Sequence, residues 1–241
     1  MQVRRSRALT WFFDLDNTLH DASHRIFGTI DRSMNAWLVA NLAVDEAEAN
    51  RLRTGYWQRY GATMLGLVKH HAIDAHAFLR ETHAFAETPD LATLVRAERG
   101  LSEFFRRLPG RKVLLTNAPT RYAHRVLKQI GLARHIRRRY AIEQMRVRGR
   151  YRPKPSRAML TALLARENVR ASRAVLVEDS LPNLKSARAS GMRTVLVSGF
   201  AMRSALSVPT QAFSMRRFRS PYVDLRVRSV TQLIRRRRFL R

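Results

Sequence analysis

The chain of 241 residues contains no cysteine, which excludes disulfides, zinc–thiolate centres and cysteine nucleophiles and fits a reducing compartment. Acid is scarce as well: 18 Asp and Glu stand against 46 Lys and Arg, a net charge of +28. A field of that sign attracts phosphorylated metabolites, nucleic acid or acidic lipid. Lysine is rarer still, found only at positions 69, 112, 128, 154 and 185, so nearly all of the basic charge is arginine. Codon composition accounts for that bias as readily as a binding partner does. No apolar run reaches the roughly 20 residues that a membrane span needs. The basic N-terminus leads into an apolar run that breaks at Asp14, a poor match to a signal peptide. A soluble, cytoplasmic protein is the expectation. Hydrophobic residues make up 45% of the chain, enough for a proper core in one large domain or one core with an insertion.

Four short apolar runs, Trp11–Leu15, Lys112–Thr116, Ala174–Val177 and Thr194–Val197, read as buried strands. Helical patterns follow the first three. Arg121–Ile130 ends before Gly131 and Leu181–Ser190 before Gly191, as at a glycine C-cap, and Ser156–Arg166 opens on Pro155 and Ser156. Strands alternating with helices imply a parallel, right-handed α/β sheet. Between about His20 and Arg99 the pattern is helical without a strand, with Phe27, Ile30, Met34, Trp37 and Leu38 on one face. The expected organisation is a discontinuous α/β core over residues 1–19 and 100–202, a helical insertion over 20–99 and an Arg-rich tail over 203–241.

Functional groups gather at the predicted strand ends. The first strand runs into Asp14 and Asp16, which alternation places on one side, and a carboxylate buried there is costly unless paired. The second ends in Thr116-Asn117, the third in Glu178-Asp179-Ser180, and Lys154 lies between prolines before a helix. In an open parallel sheet these ends form one crevice. Clustered carboxylates without His or Cys favour a hard cation, Mg²⁺, which binds through carboxylates and substrate phosphate. Thr116, the amides beside Asn117 and Lys154 would hold phosphate oxygens. Asp14 is the candidate nucleophile, and Asp16 the candidate acid and then base for the leaving alcohol and the water.

The stretches Asp14-Leu15-Asp16-Asn17-Thr18-Leu19, Leu115-Thr116-Asn117, Lys154-Pro155 and Glu178-Asp179-Ser180 resemble, in order and spacing, the four motifs of the haloacid dehalogenase superfamily. The resemblance implies a Rossmann-like core, a phosphoaspartyl intermediate on Asp14, and Mg²⁺ held by Asp14, the Asp16 carbonyl and Asp179, with Glu178 direct or through water. It also implies that the helical insertion is a cap. The Asp-Asn-Thr-Leu form of the first motif, Tyr60–Leu67, Thr116-Asn117-Ala118 and His124–Leu127 further resemble the pyrimidine 5′-nucleotidase group, with Ala62 and Met64 departing from its usual Tyr-Gly-Thr-Thr-Leu. That points to a nucleoside monophosphate substrate, with Tyr60 and Thr63 as candidate contacts.

Other readings compete. Lys154 sits among Arg146, Arg148, Arg150, Arg152 and Arg157, and a solvated basic face is the plain alternative. Asn117 reads as a cap for the helix near Thr120 as well as a phosphate neighbour. Ser180 reads as a helix cap and not a nucleophile. The histidines at 70, 71, 76 and 83 lack metal spacing and read as surface or packing residues. For the whole chain, the alternatives are a phosphatase on phosphoglycolate or a sugar phosphate, a dehalogenase, and a nucleic-acid or anionic-surface binder using the tail. Asp16 and the Glu178-Asp179 pair argue against dehalogenation, which has no alcohol to protonate and needs no metal.

Overall fold

The computed structural model describes residues 8–200, 220–236 and 239. Six strands form one parallel sheet: β1 (Thr10–Phe13), β2 (Arg111–Leu115), β3 (Arg138–Tyr140), β6 (Ala174–Glu178), β7 (Arg193–Val197) and β8 (Leu225–Val227), in the order β3-β2-β1-β6-β7-β8. A separate antiparallel hairpin joins β4 (Arg146–Val147) to β5 (Arg150–Tyr151). The nine helices are α1 (Ile26–Leu42), α2 (Glu46–Tyr60), α3 (Thr63–His71), α4 (Ala75–Thr82), α5 (Leu91–Leu94), α6 (Leu101–Arg107), α7 (Thr120–Gln129), α8 (Arg157–Arg166) and α9 (Leu181–Ala189) among the described residues. The four strands read from the sequence are present, and the helices after them match to within a residue or two.

Two strands are too short or too polar to announce themselves. β3, Arg-Arg-Tyr, pairs with β2. β8 lies inside the stretch read as an Arg-rich tail, yet it extends the sheet by pairing with β7, Val195 opposite Leu225. Residues 201–219, 237–238 and 240–241 lie outside the described part, including Arg237 and Arg238 of the Arg235–Arg238 run.

β1 sits at the centre because its residues are apolar on both faces. Thr10 pairs with Arg111 of β2 and Ala174 of β6. Trp11 and Phe13 face a layer that includes α6 and α7, through Phe104, Phe105, Tyr122 and Val126. Phe12 faces the opposite layer, with Leu160 and Leu163 of α8 and Leu184 of α9. Covering helices on both faces explains why the strands read as continuous apolar runs and not as alternation.

The helices between β1 and β2 divide by what they bury. Leu38, Ala49, Met64, Leu67, Phe78 and Leu79 make a separate core within the helical insertion, which also takes Ile142. Ile26, Ala86, Leu91 and Leu101 instead join the sheet's core. Of the face predicted for α1, Leu38 is buried, but Phe27 is 39% exposed and Ile26 takes the inward position. Asp45 caps α2, accepting from the Glu48 amide at 2.7 Å, and Gly61 closes it at φ 80°, the left-handed turn that glycine adopts without a Cβ clash.

Candidate active site

The site is built at the carboxyl end of β1. The Asp14 amide continues the ladder, donating to the Val177 carbonyl at 3.0 Å, and the chain then leaves the sheet. Asn17 makes the exit turn at φ 58°, a conformation asparagine tolerates better than most residues. Its side chain fixes the turn: Nδ2 donates to Ser23 Oγ at 2.7 Å and Oδ1 accepts from the Ser23 amide at 3.0 Å.

Lys154 reaches the same point from the other side. Its Nζ donates to Asp14 Oδ1 at 2.6 Å and to Glu178 Oε2 at 2.7 Å, and the side chain is only 2% exposed. A solvated basic face is therefore the wrong account of Lys154. Asn117 holds the loop that carries it, with Oδ1 accepting from the Lys154 amide at 3.0 Å and Nδ2 donating to the Lys154 carbonyl at 2.9 Å. The capping role expected of Asn117 is absent, because both ends of its amide are used on this loop. Glu143 does the capping, its carboxylate accepting from the amide and hydroxyl of Thr120. Ser180 occupies the N-cap position of α9, but its side chain makes no cap hydrogen bond. Its amide donates to Glu178 Oε1 at 3.2 Å. Thr116 is buried, and its Oγ1 accepts from the Ala118 amide at 3.1 Å.

Asp14, Glu178 and Asp179 present carboxylate oxygens within 4.8 Å of one another. One ammonium does not neutralise three acids. Burial, then the Glu178 charge, push Asp14 up to about 7, with Lys154 opposing. Burial, then Glu178 and Asp14, also hold Asp179 well above the usual carboxylate range. Burial works against the Lys154 ammonium too, but the charges of Asp14 and Glu178 reverse it and raise its pKa. An all-oxygen set with excess negative charge fits a divalent hard cation.

Asp16 is set apart from this cluster. Its Oδ1 accepts from Tyr122 Oη at 2.6 Å and meets His20 Nε2 at 2.9 Å. Burial opposes its charge, but the hydrogen bond and charge of His20, with Tyr122, outweigh that and lower its pKa. His83, read only as packing or surface, stands edge-on to Tyr122 at 5.6 Å. Burial pushes His83 down to about 4 against the attraction of Asp16. Sequence pattern alone does not single out Tyr122 or His20. The usable signal was a tyrosine on the apolar face of α7, whose hydroxyl needs a partner when buried.

Tyr60 and Thr63, the candidate substrate contacts, have their hydroxyls engaged within the helical insertion. Tyr60 Oη meets His70 Nε2 at 2.7 Å, and Thr63 Oγ1 donates to the Arg53 carbonyl at 2.9 Å. Gly61, between them, is what faces the core: a Cβ there would stand 3.2 Å from Pro155 Cδ and 3.3 Å from the Lys154 carbonyl oxygen.

Comparison with known proteins gives a family and a fold. The family described as "Hydrolase: haloacid dehalogenase-like hydrolase" matches residues 10–191. "Phosphate metabolism protein 8" of Saccharomyces cerevisiae is 29% identical over 130 residues, 51% of this chain and 40% of that protein. The chain thus aligns with well under half the length of that curated relative. Among solved structures, CbbY from Rhodobacter sphaeroides in complex with phosphate is similar at TM-score 0.62 and 19% identity, covering 94% of this chain and 96% of the other. A HAD phosphatase from Thermococcus onnurineus matches at TM-score 0.61 and 15% identity, covering 95% and 96%. At those identities the likeness is one of fold.

Proposed function

The chain belongs to the haloacid dehalogenase-like hydrolase family, and from that premise we propose that it is a Mg²⁺-dependent phosphomonoesterase whose first-choice substrates are pyrimidine nucleoside 5′-monophosphates. The observation that carries the reading is Lys154 Nζ bridging Asp14 and Glu178 at 2.6 and 2.7 Å, with Asp179 beside them. A phosphate there meets a carboxylate nucleophile, an ammonium and an acid/base in one crevice.

Each residue has its own task. An Asp14 carboxylate oxygen attacks phosphorus and the ester bond breaks, leaving a phosphoaspartyl group. Asp16 protonates the departing alkoxide, then takes a proton from the water that releases phosphate. Its lowered pKa suits the second, base role in the free enzyme. Lys154 offsets the negative charge between Asp14 and phosphate, and Thr116 and the amides beside Asn117 hold phosphate oxygens. Asp14, Asp179, the Asp16 carbonyl and Glu178 would hold Mg²⁺, which supplies charge neutralisation at phosphate. Glu178 has both oxygens engaged, by Lys154 and the Ser180 amide, which favours a ligand role through water.

The substrate rests on the helical insertion and on the resemblance at Tyr60–Leu67. Phosphoglycolate or a sugar phosphate is the alternative, and the name of the yeast relative accords with either. Purified protein with Mg²⁺ should release phosphate from UMP or CMP faster than from those two. Asp14→Asn should abolish release; full turnover in that variant would sink the mechanism, and a preference for sugar phosphate would overturn only the substrate.

A further inference from the structure

The β4–β5 hairpin has two faces with different surroundings. On one, Tyr151 packs into the insertion's core and its hydroxyl meets His76 Nε2 at 3.3 Å, while the Arg146 guanidinium lies 4.0 Å from its ring centroid. On the other, Val147 and Arg150 stand opposite each other in register. With Arg148, Arg152, Ser156 and Ala158 they line a cleft of about 690 Å³. Arg148 and Gly149 turn the hairpin at φ 51° and 75°, as a two-residue primed turn requires. None of Asp14, Asp16, Lys154, Glu178 or Asp179 lines this cleft.

Some exposed arginines have acidic partners: Arg106 has Glu103, Arg125 has Glu87 and Arg188 has Asp224. Among the described residues, Arg148, Arg150 and Arg152 have none, and the first turn of α8 carries no acid. Three like charges gathered on one wall repel one another, and an anion between them relieves that repulsion. The guanidinium fork matches phosphate oxygens in pairs, and a phosphate dianion answers more than one arginine where a carboxylate answers one. A cleft of this size admits a small molecule.

We propose that the cleft between the β4–β5 hairpin and α8 is a second phosphate-binding site, separate from the Asp14 centre. It takes inorganic phosphate or the phosphate group of a small phosphorylated ligand. The test is calorimetric titration of the full chain, free of magnesium, with inorganic phosphate, glycerol phosphate and a short single-stranded oligonucleotide in separate arms. The wild type should bind inorganic phosphate or glycerol phosphate in a class of sites that weakens about tenfold or more in R148A/R150A/R152A, the scale of losing a charge-assisted hydrogen bond. Binding in the inorganic phosphate arm identifies the free ion as sufficient, and binding in the glycerol phosphate arm alone identifies the ester. R150E, one exposed substitution that sets a carboxylate in the cleft, should show the same loss with an unchanged melting temperature, so the result does not depend on the triple variant folding. Phosphate bound only at the Asp14 centre would leave both variants' isotherms unchanged, and that overturns the proposal. Binding of the oligonucleotide without either small phosphate overturns it too.

Discussion

Asp16 gives one carboxylate oxygen to two donors, Tyr122 and His20, and both donors are buried. That arrangement fixes the carboxylate's direction and its charge together. In Tyr122→Phe one bond is lost, and a hydrogen bond to a charged group is worth about 1.5–3 kcal/mol, so kcat should fall by roughly tenfold or more. The sign of the pH effect follows from the lowered pKa of Asp16. Without the phenol, Asp16 holds its proton more tightly, and the limb of the kcat profile that reports it should move to higher pH. A lower kcat with an unmoved limb would reduce Tyr122 to a packing residue. At this scale the sequence was most informative where residues are neighbours in a motif. Asp14, Lys154, Glu178 and Asp179 converge, as their places at strand ends and before a helix imply. Tyr122 was hidden because it lies 106 positions from its partner, and nothing local to either residue shows the pairing. Asn117 was half hidden: its type suits a cap, but its partner is the backbone of a loop 37 residues away.

Two loops and one helix end carry tertiary contacts that helix and strand patterns do not show. Gly61 closes α2 at a positive φ and faces the Lys154-Pro155 backbone across less than a methyl group's clearance. Gly61→Ala should cost about 1 kcal/mol or more, from the left-handed conformation alone, read by urea denaturation. If the insertion's seat on this loop matters for turnover, KM should rise alongside; unchanged KM would confine the effect to stability. At the end of α8, buried Glu167 joins three residues of the sheet: Arg111, Tyr140 and Arg138, the last at 2.9 Å. Burial opposes its charge, but the hydrogen bonds of Tyr140 and Arg138 and the charges of the arginines prevail and lower its pKa. A lowered carboxyl stabilises the fold above the ordinary glutamate value, about 4.3, and that stability disappears as pH falls through the lowered folded value. Both arginines are about half exposed, so solvent screens the pair. Glu167→Gln should destabilise by about 1–3 kcal/mol at pH 7, with a smaller loss of stability on acidification than the wild type shows. β3 and β8, the two edge strands of the main sheet that the sequence does not show, have the same limit: three residues at a sheet's edge carry too little periodicity to stand out.

Across the whole molecule, charge and sheet order set the terms. Three carboxylates around one lysine leave the site short of positive charge even in a chain of net charge +28. Magnesium should therefore raise the melting temperature, since a ligand at a hundred times its Kd adds about 2.7 kcal/mol. Chelation should remove activity, and added Mg²⁺ should restore it. An unmoved melting temperature in Asp179→Asn, against a rise in the wild type, would place the ion at this cluster. No described helix is long and apolar enough to cross a membrane. The sheet order was legible only as a class, parallel α/β, because alternating strands and helices do not state which strand lies in the middle. One of the two central strands is β1, the first of the six to leave the ribosome, and its partners are β2 on one side and β6 on the other. At about 5–20 residues per second, Trp-Phe-Phe waits several seconds for β2 and longer for β6, with no sheet to enter. The insertion's helices, whose contacts are close in sequence, can gather in that interval, while the centre of the future core stays open to chaperones and to other nascent chains.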